Sequence, residues 1–487
     1  MGIIVDQSFK NLITTYFGFA IGAINVLLLY PNFFTPKHYG LITFLLSAST
    51  LLWPIMSFGV NHTLIKFYSG YTKQIDKQGL LSLAMFLPLG VGLILGLFGL
   101  FCNQAILGYF TKNPIVQPYV WLIFVIAIFS AYFEVFYAWA KLKYKSVFGN
   151  FMREVFHRVC VSILLVLVYL EIIGIESFVY LLTGVYFIRA LIIKIYAFSL
   201  VKPSLKFRFP HNKIEVFKYS FLIFIVGSIA IALLDLDKVM IEHYLPIEQV
   251  SIYGIAVYVA TVIAVPARAM NQISHPITAN LLNNKNFEEL RTLYTKSSVS
   301  LLIVSGLIFV IIVTNINQVY ALMPEIYQVE IGIILLLALI KLSDNMLGNA
   351  NSILFNSNYY KLILLLSVGL IVFAFLTNLW LIPKWGLVGA AVASFITFIA
   401  YNITKLLVVL QKFKMHPFSK NTAFILLFIA LFTAGFYYID FNINPVINIL
   451  LKSGFISVLY VFLAYKLNFS EDINLLIKKF LRKVFAK

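Results

Sequence analysis

The sequence predicts an all-α polytopic membrane protein with about 14 transmembrane helices. Of its 487 residues, 61% are hydrophobic and only 11% are charged. No water-soluble core of this length requires so many apolar side chains. Apolar runs of about 20 residues, the length that crosses a hydrocarbon layer, follow one another along the whole chain. The chain is therefore expected to fold in a bilayer.

The predicted spans follow one another with short connections. They lie near 11–33, 40–59, 79–101, 116–139, 151–170, 177–200, 216–234, 250–270, 292–313, 328–349, 359–382, 387–409, 420–439 and 446–466. No connection exceeds roughly 25 residues, which is too short for a water-soluble domain with its own core. The function is therefore expected within the bilayer or at its edge. After Phe469, the basic tail is predicted to be an amphipathic cytoplasmic helix.

Basic residues give the spans an orientation, because short segments rich in Lys and Arg stay on the cytoplasmic side. With the N-terminus inside, the outward loops hold only Lys37, Lys112, Lys238 and Lys384. The sequence thus predicts that both termini are cytoplasmic. This topology also accounts for the formal charge of +18. Nucleic acid is not an expected partner, because that would need a basic domain in water.

Several landmarks recur at one offset, as in transporters built from two copies of a helical unit. Tyr39-Gly40 opens the second span and Tyr253-Gly254, 214 residues later, opens the eighth. Glu134 in the fourth span and Asp344 in the tenth are 210 residues apart. The offset predicts a six-helix N-lobe, 1–213, and a six-helix C-lobe, 214–412. Residues 413–487 add a helix pair and the basic tail.

Several short motifs are spread along the chain. They are Val5-Asp6-Gln7-Ser8, Gly18-Phe19-Ala20-Ile21-Gly22-Ala23-Ile24-Asn25, Leu29-Tyr30-Pro31, Tyr39-Gly40-Leu41, Asp237-Lys238 and Gly386-Leu387-Val388-Gly389-Ala390-Ala391. With these motifs the sequence resembles polysaccharide-biosynthesis flippases, the O-antigen and capsule repeat-unit (Wzx-like) branch of the multidrug/oligosaccharidyl-lipid/polysaccharide exporter superfamily. One departure is Asp6, where the relatives usually carry a basic residue.

The resemblance implies a flippase of the bacterial inner membrane rather than an enzyme. Such a protein moves undecaprenyl-diphosphate-linked oligosaccharide from the cytoplasmic to the periplasmic leaflet by alternating access of two lobes. The implied partners are this lipid-linked oligosaccharide, membrane lipids, and a polysaccharide polymerase with its assembly machinery. A monomer is expected, because each two-lobed unit can enclose its own path. No cofactor is expected, since no nucleotide-binding loop is present.

Two acids inside predicted spans are candidates for ion coupling. Glu134 shares one helix face with Ser130, Tyr137 and Lys141. It has no obvious local partner, so desolvation favours its protonated form. Asp344 in the tenth span has Lys341 three residues before it, and the two can partly neutralise each other. The alternatives are a helix-packing ion pair at Lys341 and Asp344, and a misplaced span boundary at Glu134.

Cations near the cytoplasmic ends of spans five, six and eight are candidates for binding a diphosphate headgroup. Arginine can hold phosphate oxygens with two parallel hydrogen bonds. The alternative for each is a side chain that reaches the lipid headgroups from a helix end. Arg189 is favoured, because it lies a turn deeper than Lys194. The candidates in these spans are Arg153, Arg158, Arg189, Lys194 and Arg268, and Lys341 adds one from the tenth.

Asp235, Asp237 and Lys238 lie at the predicted outer end of the seventh span, where a gate and a helix-end ion pair are both possible. Gly18, Gly22 and Asn25 fit either a seam between lobes or close helix packing.

Three other functions remain open at this stage. An ion-coupled multidrug exporter or a lipid II flippase of the same superfamily would share the architecture. A membrane-embedded oligosaccharide polymerase or glycosyltransferase would need a larger outward loop than this chain has. Disulfide, metal and redox sites have no support, because Cys102 and Cys160 belong to no CxxC pair and lie near no histidine cluster.

Overall fold

The structure is a computed structural model that describes residues 2–143, 145–203, 208–357, 359–441, 443–475 and 477–478. Within these ranges the chain is helical and contains no β-strand. The all-α polytopic class predicted from composition is confirmed. Of the predicted basic tail, residues 476 and 479–487 lie outside the described ranges.

Eight helices cover the predicted N-lobe and the start of the C-lobe. They are α1 (Gly2–Ile24), α2 (Pro36–Ser57), α3 (Gln74–Phe101), α4 (Val120–Lys141), α5 (His157–Tyr169), α6 (Ile175–Leu200), α7 (Lys213–Tyr244) and α8 (Glu248–Val262). The shorter elements between or beside them are π-helical Asn25–Leu29, Tyr30–Phe33, Val60–Tyr68, Asn103–Tyr109, 3-10 helical Pro114–Tyr119, Val147–Phe151 and π-helical Met152–Phe156.

The rest of the chain continues in the same way. Residues 360–385 and 387–413 are named α11 and α12, because non-helical Gly386 divides the continuous stretch Tyr360–Phe413. The other main helices are α9 (Phe287–Thr314), α10 (Ile331–Met346), α13 (Lys420–Tyr437) and α14 (Pro445–Lys466). The shorter elements are Val265–Asn283 after α8, Ile316–Tyr320, 3-10 helical Glu325–Tyr327 and Ala350–Asn356.

Every predicted span coincides with one of these helices. Among the described residues, nine helices are long and apolar enough to cross a membrane, and the pair Ile331–Met346 and Ala350–Asn356, bent by 58°, makes ten. One of the nine covers both α11 and α12. The three predicted spans outside this set match α5, α7 and α8. Internal charges or a break in the helix shorten the continuous apolar stretch of each of these three.

Helix boundaries follow local chemistry that the sequence shows. The side chain of Asn286 caps α9 by accepting from the amide of Glu289 at 3.3 Å. Ser419 and Thr422 form a capping box at the start of α13. Gly386, with φ of 59° and ψ of −133°, adopts a conformation open only to glycine. The break between α11 and α12 therefore depends on that residue.

The chain forms two compact units. The first contains Met1–Gly254 and Asn378–Gly386, and the second contains Ile255–Thr377 and Leu387–Lys487. In the first, α3, α4 and α6 pack around Trp139, Leu80 and Ile193, all of which are fully buried. In the second, the C-terminal helices α13 and α14 pack on α9. The division into lobes 1–213 and 214–412 stays a prediction.

The two Tyr-Gly landmarks bring α2 and α8 together within the first unit. A Cβ atom on Gly40 would lie 2.0 Å from the carbonyl oxygen of Ile247, and one on Gly254 would lie 2.9 Å from Cγ2 of Thr43. Gly40 therefore allows a close backbone approach that a larger residue would block, whereas the atom next to Gly254 is the methyl group of a side chain. Each Tyr-Gly pair thus places its glycine where α2 meets the start of α8 or the residue before it.

Candidate functional site

Charged side chains and one histidine meet in the first unit where α4, the π-helical turn before α5, and α6 pack together. We name this group the charged cluster. Its members are Glu134, Arg153, Glu154, His157, Arg158 and Arg189. Four of them come from the π-helical turn Met152–Phe156 and the first two residues of α5. π-Helical turns inside helices are frequent at functional sites.

Glu134 and Arg153 form an ion pair between α4 and the π-helical turn. The sequence shows no local partner for Glu134, and the structure supplies one from another element. The Arg153 guanidinium also lies 4.8 Å from the centre of the Tyr137 ring, and the Lys141 ammonium lies 3.8 Å from the same ring. Two cations therefore lie within cation–π distance of the Tyr137 ring. Three members of the predicted polar face of α4 thus join one network.

Arg158 is held by Glu154, with 3.2 Å between Nη1 and the carboxylate, and it donates to the Glu154 carbonyl at 3.1 Å. α1 packs against this turn. A Cβ atom on Gly18 would lie 2.4 Å from the Glu154 carbonyl oxygen. The amide of Asn25 donates to the Arg158 carbonyl at 2.8 Å and accepts from Ser162 at 2.6 Å. Gly18 and Asn25 therefore serve helix packing.

The side chain of Arg189 is buried and has a hydrogen-bond donor with no partner among the described residues. Its side chain is 7% exposed, and its Nε atom has no partner within the described ranges. The guanidinium lies 4.3 Å from the ring centre of Phe133 and 4.6 Å from that of Tyr186. These rings offset only part of the desolvation of a charge. An arginine in this state is prepared to bind an anion.

His157 lies beside Arg189 and Arg158 and is also incompletely bonded. Its Nδ1 atom is buried and has no partner in the part of the chain that the structure describes. The imidazole is 6.5 Å from the Tyr186 ring. Sequence reasoning missed this residue, although its position one residue before Arg158 was a usable signal.

Asp344 in the second unit is bound by Lys405 of α12, at 2.7 Å between Oδ1 and Nζ. Lys341 also acts on Asp344 electrostatically, as predicted, but the ion pair itself is made between helices. The Lys341 ammonium lies 5.4 Å from the Phe398 ring. Lys405 is 3% exposed. Sequence analysis did not select it as a candidate, because a single lysine within an apolar run is a weak signal. Arg268, on Val265–Asn283, is exposed.

The acids of α7 separate into two groups. Asp235 pairs with Lys238 one turn later. Asp237 is buried and accepts hydrogen bonds from the Tyr253 hydroxyl and the Asn378 amide, both at 2.8 Å. The prediction that these residues end the helix is wrong, because α7 continues to Tyr244. Asn378 was not found from the sequence.

No group of three or more His, Cys, Asp or Glu side chains suited to a metal ion occurs among the described residues. Cys102 and Cys160 are free thiols.

Comparisons with known proteins give one family match and several solved structures of similar fold. The sequence model of a family described as "Polysaccharide biosynthesis protein" matches residues 32–323. No curated protein matches the chain in a sequence search. Among solved structures, the lipid II flippase MurJ in its inward closed conformation is 14% identical, with a TM-score of 0.69 over 93% of this chain and 98% of that one.

Two structures of a multidrug resistance MATE family transporter of the MOP superfamily are also similar. The inward-facing one is 12% identical with a TM-score of 0.62, and the outward-facing one is 14% identical with a TM-score of 0.55. Each covers 85% of this chain and 95% of its own. At such identities the likeness concerns the fold alone. The family match, which extends over more than half of the chain, decides membership: this protein belongs to the polysaccharide biosynthesis protein family.

Proposed function

We propose that the chain is a flippase that moves undecaprenyl-diphosphate-linked oligosaccharide from the cytoplasmic to the periplasmic leaflet of a bacterial inner membrane by alternating access of two lobes. The observation that carries this proposal is Arg189, a buried guanidinium with no hydrogen-bonding partner among the described residues. A diphosphate supplies the acceptors that this group lacks. The resulting hydrogen bonds are charge-assisted and are among the stronger ones in proteins.

In the proposed mechanism, the diphosphate binds Arg189 first and then competes with Glu134 for Arg153. Arg158 and His157 flank the bound phosphates. Once Arg153 turns to the substrate, the Glu134 carboxylate loses its counter-charge in a poorly hydrated place and takes up a proton or a metal cation. Headgroup binding and ion uptake are thereby linked through one ion pair. The lipid tail stays in the bilayer throughout, since only the headgroup needs a polar path.

The second unit has parallel candidates for these roles. Asp344, paired with Lys405, is proposed as a second coupling acid. Arg268 and Lys341 are proposed as further headgroup cations. In the first unit, the Asp235–Lys238 pair is proposed as a gate that opens on the periplasmic side. This assignment assumes that both termini are cytoplasmic, as the distribution of basic residues predicts.

The alternatives differ in how well they suit these residues. A multidrug exporter that takes cationic substrates has no use for a buried, unpaired arginine. A polymerase or glycosyltransferase would need catalytic groups on a sizeable outward loop. A lipid II flippase is the second candidate, because lipid II offers the same diphosphate and MurJ shares the fold. We further propose that the protein acts as a monomer and delivers its product to a polymerase.

Depletion of the protein tests the proposal. Lipid-linked oligosaccharide is expected to accumulate in the cytoplasmic leaflet, and arrival of unpolymerised glycolipid in the periplasm would favour a polymerase. Purified protein in proteoliposomes then separates the two flippases, since oligosaccharide-linked lipid should be moved faster than lipid II. Arg189→Ala should lower the rate by about 10- to 100-fold. Lys143→Ala, an exposed cation outside the charged cluster, is the matched control.

A further inference from the structure

A groove on the surface of the first unit lies between α3, α4 and α6. Its cavity has a volume of about 270 Å³. All three helices are long and apolar enough to cross a membrane. Leu89, Phe187 and Leu191 on its wall are 46%, 46% and 40% exposed. The groove therefore opens where hydrocarbon surrounds the protein.

The wall of the groove suits a hydrocarbon chain and no polar ligand. Apart from Lys194, the one polar side-chain group among the lining residues is the Tyr132 hydroxyl. It already donates to the carbonyl of Met85 at 2.9 Å. A sugar or peptide here would lose its hydrogen bonds to water without replacement. Phe129, Phe187 and Leu191 instead offer continuous apolar contact.

Lys194 stands at one end of this wall and supplies a charge. It is exposed, and its ammonium lies 5.7 Å from the Phe198 ring centre. No carboxylate in the described part of the chain forms an ion pair with it. Lys194 lies six residues before the end of α6, a distance of ~9 Å along the helix axis. A lysine at this depth extends its ammonium to the level of the lipid phosphates.

The groove is separate from the charged cluster. On α4, Phe133 contacts Arg189, whereas Phe129 and Tyr132 line the groove. On α6, Arg189 lies on one face and Phe187 on another. The two helices pack on each other extensively. A lipid whose headgroup binds Arg189 cannot place its tail in the groove without parting this pair.

We propose that the groove binds one acyl chain of an anionic glycerophospholipid, whose phosphate pairs with Lys194. One cation at the end of an apolar channel matches a singly charged headgroup, whereas a diphosphate would be drawn to a group of arginines. The bound lipid supports the packing of α4 on α6 from the face opposite Arg189. It therefore stabilises the wall that presents the charged cluster.

Native mass spectrometry of the purified full-length chain tests the site. The protein is mixed with equal amounts of phosphatidylglycerol and phosphatidylcholine of identical acyl chains, and retained lipids are counted. The wild type should retain phosphatidylglycerol about 5-fold over phosphatidylcholine, the preference that one lysine near a membrane surface provides. Lys194→Ala should bring the ratio close to one. Leu191→Trp, which fills the groove, should reduce retention of both lipids.

Two matched controls share the chemistry but lie outside the groove. Lys143→Ala removes another exposed cation, and Ile195→Trp adds the same ring to an exposed neighbour on α6. Both should retain the wild-type ratio, and phosphatidylglycerol should raise their unfolding temperature but not that of Leu191→Trp. A phosphatidylglycerol preference that survives Lys194→Ala, or retention that survives Leu191→Trp, would overturn the proposal. Displacement of phosphatidylglycerol by equimolar polyprenyl phosphate would also overturn it, assigning the groove to the substrate lipid.

Discussion

The Glu134 carboxylate on α4 and the Arg153 guanidinium in the turn before α5 form an ion pair that is partly exposed, at 18% and 36% of the two side chains. We expect Glu134→Gln to slow transport at least 10-fold while leaving membrane insertion intact, because the neutral amide cannot exchange a proton or cation. Surface polysaccharide and the amount of membrane-inserted protein are the two measurements.

A structural role for this pair predicts a different pattern. Glu134→Gln and Arg153→Gln would then have equal effects, and the double variant would be no worse than either. Coupling predicts that only Glu134→Gln removes the dependence of transport on an imposed ion gradient. Normal surface polysaccharide in the Glu134→Gln strain would remove the residue from the mechanism.

Gly18 is expected to be irreplaceable in α1. The added methyl group of Gly18→Ala would meet the Glu154 carbonyl, a backbone atom that cannot turn aside. Separation of α1 from the turn should cost about 1–3 kcal/mol of stability, measured as a lower unfolding temperature. Gly90→Ala in α3 is the control, since nothing lies within 4 Å of its added carbon. That change should be neutral or stabilising by up to ~1 kcal/mol.

The Asp344–Lys405 pair should respond unequally to the loss of each partner. Lys405 is 3% exposed and Asp344 is 42% exposed. Asp344→Asn leaves a buried ammonium without its counter-charge and should cost about 3 kcal/mol. Lys405→Met leaves an acid whose side chain is partly exposed and should cost less than ~1 kcal/mol. Thermal unfolding of both variants decides the order, and the reverse order would mean that Asp344 faces hydrocarbon rather than a wet cavity.

Stability should depend on pH through Glu242, which lies two turns beyond the predicted span 216–234. Burial raises the pKa of Glu242 from 4.5 to about 7, although the Asn113 amide donates to it. Below pH 4.5 the folded and unfolded states are both protonated. Between that pH and about 7 the folded state binds more protons, so stability falls as the pH rises.

Glu242→Gln should remove this slope and should stabilise the protein above pH 7 by up to about 3 kcal/mol. Unfolding temperatures at pH 5 and pH 8 measure the effect. Glu325→Gln, an exposed acid, should retain the wild-type slope. A slope that persists in Glu242→Gln would assign the dependence to another group.

Much of the architecture could be predicted, because the period and length of apolar runs depend on the bilayer alone. Each predicted span became a helix for that reason. The partners of charged residues were harder. Glu134 meets Arg153, and Asp344 meets Lys405, across helix contacts whose rotation no single sequence reveals. Local spacing pointed to Lys341 instead, since neighbours within one helix are all that periodicity can show.

Arg189 illustrates the opposite case. Its depth in an apolar span was enough to favour it, and the structure adds that it lacks hydrogen-bonding partners in the described part of the chain. The gating acids were misplaced at a helix end because hydropathy falls at Asp235, while the backbone continues as a helix to Tyr244. Hydropathy marks where hydrocarbon ends and not where a helix stops.

The π-helical turn Met152–Phe156 has a consequence for comparing relatives. In an ordinary α-helix, residues five apart such as Arg153 and Arg158 point about 140° away from each other. A turn with i to i+5 hydrogen bonds brings such residues towards one face. A relative that lacks one residue in this turn would retain both arginines in its sequence, but their side chains would contact different neighbours. An alignment scored by residue identity alone would not show that the two arginines no longer share a face. The number of residues in this five-residue turn should therefore be compared as well.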